Sequence, residues 1–207
     1  MIFEITADSA LPDRNSQIEI SSLHYVNNKN VKENYPDGCK EIFLGLGCFW
    51  GAERLFWNSS SVYVTSVGYG GGYTKNPTYQ DICSGKTGHA ELVKVIFKDE
   101  GNNFENIIKV FFENHDPTQG MRQGNDIGTQ YRSCIYTNNE DHYLKSSVLL
   151  KKFQSVLKNN NLDQIITTEI KKNIDFFYAE DYHQQYLAKN PQGYCNIKGL
   201  GLDLDID

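Results

Sequence analysis

The chain has 207 residues, of which 39% are hydrophobic and 13% aromatic, and a formal charge of -6. That composition excludes a disordered chain, and the length is expected to fold as one domain, residues 1–207, around a real core. The acidic balance argues against nucleic acid or an anionic membrane as a partner.

In chain order, the N-terminus Met1-Ile2-Phe3-Glu4 carries an acid and no long apolar stretch, so no secretory signal is read and a cytoplasmic protein is expected. Residues 1–40 lack sustained periodicity and hold turn signals such as Leu11-Pro12-Asp13 and Tyr35-Pro36-Asp37-Gly38, which predicts an arm wrapped over the domain. The longest uncharged run, residues 42–52, is too short and too glycine-rich to span a bilayer. It predicts a strand at about 41–47 and a helix from Cys48 to about Trp57. A strand at about 62–69, a Gly70-Gly71-Gly72-Tyr73 loop and a short turn or helix through Tyr79 follow. The next strand covers about 90–98, and Phe104, Ile107, Ile108 and Phe111 mark one face of a helix at about 104–114. A long polar loop (116–130) leads to a strand at about 131–136. Thr137-Asn138-Asn139-Glu140 reads as a capping box opening a helix to about residue 158. An edge strand at about 167–175 and a helix at about 181–189 precede a coil-rich tail, 191–207, whose alternating 202–207 ending could add a strand or fray. The central order strand-helix-strand-strand-helix-strand, within a core of 41–190, predicts an α+β fold of the two-layer ferredoxin-like (split βαβ) kind.

Cys48 is the first candidate for chemistry. A thiol at the first turn of a helix feels the positive end of the backbone dipole, which favours the thiolate. Phe49 and Trp50 follow it and could wall an apolar pocket beside the sulfur. Glu91 ends the apolar row Glu91, Val93, Val95, Phe97. It is either a strand-end carboxylate in solvent or a desolvated carboxylic acid fit for general acid work. The cysteines number five, with no CxxC pair and no closely spaced histidines, which argues against a disulfide framework and a zinc site. Cys83 and Cys134 read as small buried hydrophobes and Cys39 as inert. Cys195, between glycines in a mobile-looking tail, is either an unpaired surface thiol or a resolving cysteine.

Several long strings then resemble one family in the right order: Gly47-Cys48-Phe49-Trp50-Gly51-Ala52-Glu53-Arg54, Asn76-Pro77-Thr78-Tyr79, Gly88-His89-Ala90-Glu91, His115 to Ser133, Ala179-Glu180-Asp181-Tyr182-His183-Gln184-Gln185-Tyr186, and Gly193-Tyr194-Cys195. The chain resembles the class A methionine sulfoxide reductases, the peptide-methionine (S)-S-oxide reductases, over nearly its full length. The resemblance implies repair of oxidised methionine, in proteins and as the free amino acid, with Cys48 attacking the sulfoxide sulfur. It makes Glu91 the acid that protonates the oxygen, and Tyr79 and Tyr131 the hydrogen-bond donors beside it. Asp126 becomes the loop acid that holds substrate, and Phe49 and Trp50 the slot for the S-methyl group. Cys195 then condenses with the Cys48 sulfenic acid, and thioredoxin reduces the bridge. No metal or organic cofactor is implied, and a monomer is expected.

The chain departs from many members in having no cysteine after Cys195, which implies a two-cysteine cycle without a relay. A cysteine hydrolase would instead need His89 or His115 within reach of Cys48. A binding module for oxidised peptides would not need the thiol, and a thiol peroxidase would not need a methyl pocket.

Overall fold

The apolar run at 42–46 lies in the middle of a sheet and is covered on both faces, which is why it reads as continuous rather than alternating. The computed structural model describes residues 5–206, so the first four residues of the arm and the last of the tail lie outside the described residues. The run belongs to strand β1 (Cys39–Leu46), which leads into helix α1 (Phe49–Trp57) and strand β2 (Val62–Gly70). Helix α2 (Tyr79–Cys83), strand β3 (Ala90–Lys98) and helix α3 (Asn103–Glu113) follow. After them come the short strands β4 (Arg122–Gln123) and β5 (Asp126–Ile127), then β6 (Ser133–Thr137) and helix α4 (Glu140–Asn159). Strands β7 (Glu169–Lys172) and β8 (Phe176–Tyr178) and the single-turn helix α5 (Tyr186–Lys189) complete the elements.

The six-stranded sheet has the order β7-β6-β1-β3-β2-β8. Its β6–β7 pair is parallel and the other pairs are antiparallel, so the sheet is mixed. On one face, Ile42, Leu44 and Leu46 pack with Val93, Val95 and Phe97 against Phe56 of α1, Ile108, Phe111 and Phe112 of α3, and Phe153 of α4. The other face carries Phe43, Leu92, Cys134 and Tyr136, with Ile174 and Phe176 packed against them. The arm reaches the sheet as well, where Ile20 and Val31 pack on Val64 and Ile96. It is tied to the core by polar contacts that local sequence does not reveal. The fully buried His24 ring bonds Thr65 at 3.1 Å, the Thr65 hydroxyl donates to Glu53 at 2.9 Å, and Arg14 pairs with Asp81 at 2.7 Å.

Several expectations are corrected. The 116–130 loop contains the β4–β5 hairpin. Thr137 belongs to β6, so the cap of α4 falls to Asn139, whose side chain accepts the His142 N–H. A capping box does open α2, between Thr78 and Asp81. The edge strand expected at 167–175 is β7 alone, and β8 forms the opposite edge. Of the helix expected at 181–189, only 186–189 is helical.

The described part of the tail is neither a strand nor loose. Leu204 is fully buried, its N–H donates to Glu113 at 2.7 Å, and Ile197, Leu200 and Leu202 pack on the main core. Leu204→Ala is expected to cost about 2–5 kcal/mol, because the pocket over α3 cannot fully collapse. Urea unfolding checks this: a midpoint equal to the parent's would mean that the tail contributes nothing to the core.

Candidate active site

β1 ends at Leu46, and Gly47 turns the chain at φ +96°, a conformation that favours glycine; a Cβ there would also meet Gln123 at 2.7 Å. The turn sets Cys48 at the N-cap of α1. Its side chain makes no capping hydrogen bond, and the carboxyl of Glu91, reaching over from β3, accepts the Phe49 N–H at 3.0 Å instead. Glu91 therefore faces the first turn beside the sulfur, and is only 2% exposed.

Cys48, Phe49, Trp50 and Glu91 line a cleft of about 130 Å³. Tyr79, Asp126 and Tyr131 line it too, so all seven residues expected around the sulfoxide meet in one place. Cys195, the eighth expected site residue, is exposed and lies on α1 beside Gly51 rather than in the cleft.

Burial pushes the Glu91 carboxyl up to about 8; the Phe49 N–H opposes the rise and the Asp126 charge adds to it. It is an acid at neutral pH. The expectation of a Cys48 thiolate is corrected. Burial raises the thiol well above its ordinary value, the Glu91 charge raises it further, and the Trp50 N–H opposes. A helix start alone favours the thiolate, but here desolvation outweighs the stabilisation that the first-turn N–H supplies. Burial also raises the Tyr79 and Tyr131 phenols, which stay protonated donors. The cleft thus offers a thiol, a carboxylic acid and two phenols, suited to a neutral, strongly dipolar ligand.

Sequence reasoning gave no role to His183, yet its buried ring sits among the aromatic walls. Ring centres lie 5.1 Å from Phe49, 5.7 Å from Trp50 and 4.5 Å from Tyr79. The Trp50 indole N–H donates to its Nδ1 at 2.9 Å, which puts the ring proton on Nε2. Tyr186 stacks on Trp50 at 3.9 Å, and Glu180 accepts both the Tyr79 N–H and the Tyr69 hydroxyl. Tyr194, which also lines the cleft, donates to Asp126 at 3.2 Å. The signal for Glu180, His183 and Tyr186 was the dense polar and aromatic string 179–186, which has no periodicity to interpret.

The other histidines near the motifs are committed elsewhere. His89 bonds Gly72 and Thr74, and His115 bonds Phe111 and Ser133. That arrangement counts against a cysteine hydrolase. Cys83, expected in the interior, is exposed at the end of α2, whereas Cys134 is buried. Among the described residues, no group of three or more His, Cys, Asp or Glu side chains is placed to hold a metal ion.

The sequence model of the peptide methionine sulfoxide reductase family matches residues 40–201. The chain is 51% identical over 201 residues to peptide methionine sulfoxide reductase MsrA of Agrobacterium fabrum, covering 97% of this chain and 93% of that one. Its fold is similar to methionine sulfoxide reductase A of Corynebacterium diphtheriae, with a TM-score of 0.82, 40% identity and 92% of each chain covered. A fold likeness at 20% identity and TM-score 0.52 extends to Mxr1 from Saccharomyces cerevisiae in complex with Trx2, covering 86% of this chain and 96% of that one.

Proposed function

This chain belongs to the peptide methionine sulfoxide reductase family, and from that premise we propose that it reduces the S-epimer of methionine sulfoxide, in polypeptides and as the free amino acid. The observation that carries the reading is the buried Glu91 acid capping the helix that presents Cys48, with two phenols in the same cleft. The sulfoxide oxygen lies among Glu91, Tyr79 and Tyr131, and its methyl group against Phe49 and Trp50, while Asp126 holds the substrate from the loop side. One epimer satisfies both sides at once.

The Cys48 sulfur attacks the sulfoxide sulfur as Glu91 gives its proton to the oxygen. The hydroxyl then passes from the substrate sulfur to the Cys48 sulfur as the transient S–S bond between them breaks, so that methionine leaves with its sulfur reduced and Cys48 is oxidised to the sulfenic acid. Glu91 recovers a proton from the thiol. Cys195 then attacks the Cys48 sulfur, forming the disulfide and releasing water. A thioredoxin-class dithiol reduces the bridge; the exposure of Cys195 and the Mxr1 complex with Trx2 support this choice. The cycle needs no metal or organic cofactor, and we place the protein in the cytoplasm as a monomer. The order β6-β1-β3-β2 with antiparallel neighbours supports a ferredoxin-like (split βαβ) core within one domain.

The test is direct. With dithiothreitol and separated epimers of a methionine sulfoxide peptide, only the S-epimer is expected to disappear. Consumption of both epimers, or of neither, would overturn the assignment.

A further inference from the structure

Arg54 stands just under two turns along α1 from Cys48, and Gly51 lies between them, so the three positions form one stripe at a spacing of three. The Cys195 sulfur rests on this stripe. Arg54 Nη2 donates to it at 3.1 Å, and a Cβ on Gly51 would come within 2.9 Å of it. The bare backbone at Gly51 is what lets the tail approach. Gly51 is three residues from Cys48, a rise of about 4.5 Å along the helix. The tail is held on both sides of the sulfur, by the Tyr194 hydroxyl on Asp126 and by Ile197 in the core.

We propose that Arg54 is a positioning residue for the second half-reaction, holding the Cys195 sulfur in the Gly51 berth so that it closes on Cys48 once the sulfenic acid forms. This rests on the reading of Cys195 as the resolving thiol. In that step the Cys195 S–H proton is lost, its sulfur forms the S–S bond, and the Cys48 S–O bond breaks. The departing hydroxide takes up a proton and leaves as water, with Cys195 oxidised and Cys48 reduced. The guanidinium faces the sulfur that must carry negative charge as it attacks. A fixed sulfur also replaces a search by a free tail.

The experiment gives each variant one equivalent of substrate without reductant. It follows methionine release, bridge formation, and trapping of the Cys48 sulfenic acid by dimedone. Arg54→Ala is expected to release methionine at the parent rate but to form the bridge about tenfold more slowly, with a trapped Cys48 adduct. Arg54→Lys, which keeps a charged N–H donor, is expected to recover much of the rate. Gly51→Ala puts a stronger helix former on α1 yet fills the berth, and is expected to slow the bridge as well. Cys195→Ser separates the two readings: it must accumulate the adduct if Cys195 resolves. With that control behaving so, a bridge rate in Arg54→Ala within twofold of the parent would overturn the role. Equal slowness of the Lys and Ala variants, or an equal loss in methionine release, would do the same.

Discussion

Glu91→Gln is expected to leave substrate affinity near that of the parent and to slow first-turnover methionine release about 10²–10⁴-fold. The amide oxygen can still accept the Phe49 N–H, so the helix cap survives, but the side chain has no acidic proton to give. The parent should also lose rate as pH rises through about 8, where burial places the Glu91 ionisation, and the variant should lack that alkaline limb. Stability follows the same sign. Glu91, raised from 4.5 to about 8, and Glu53, raised to about 7, hold protons more tightly in the folded chain than in the unfolded one. Their contributions are therefore full below pH 4.5 and are lost as pH rises through 7 and 8. Rapid-quench kinetics across about pH 6–9 decide the matter: an unchanged rate in Glu91→Gln, or an unchanged alkaline limb, removes Glu91 from the acid role.

Much of this site was legible because its parts obey short-range rules. Strand alternation put Glu91 in line with Val93, Val95 and Phe97, and the structure buries that whole row. The change from an apolar run to a helical segment put Cys48 at a helix start, where it is found. The ionisation of Cys48 was not legible, since a dipole argument sees the helix but not the burial or the carboxyl contributed by β3. The capping box at Thr137 failed for a related reason: β6 claims that residue through its pairing with β7. Strand β8 depends on pairing with β2, Gly68 opposite Tyr178, a contact too distant in sequence for any local pattern. The docked tail likewise depends on Glu113 and Lys109 of α3, which bond Leu204 from both sides.

His183→Ala is expected to lower kcat/KM about 10²-fold, because the aromatic walls proposed to align the methyl group lose the ring that holds them. The substitution removes a side chain 1% exposed, opens a void between Phe49 and Tyr79, and leaves the Trp50 N–H without its acceptor. Void and orphaned donor together are worth about 2–4 kcal/mol. His183→Asn, which offers an acceptor near the position of Nδ1, should recover part of both losses if the Trp50 contact matters. The pH dependence separates this structural role from proton transfer. Burial lowers His183 from 6.5 to about 4, so its ring is neutral across the working range and gives no step in kcat/KM near 6.5. Its stability contribution is present above pH 6.5 and lost as pH falls towards 4, so His183→Ala should soften acid unfolding while lowering stability at neutral pH. If His183→Ala instead keeps kcat/KM within twofold of the parent, the proposed methyl slot is held by Trp50 and Tyr186 without it, and the imidazole is only filler.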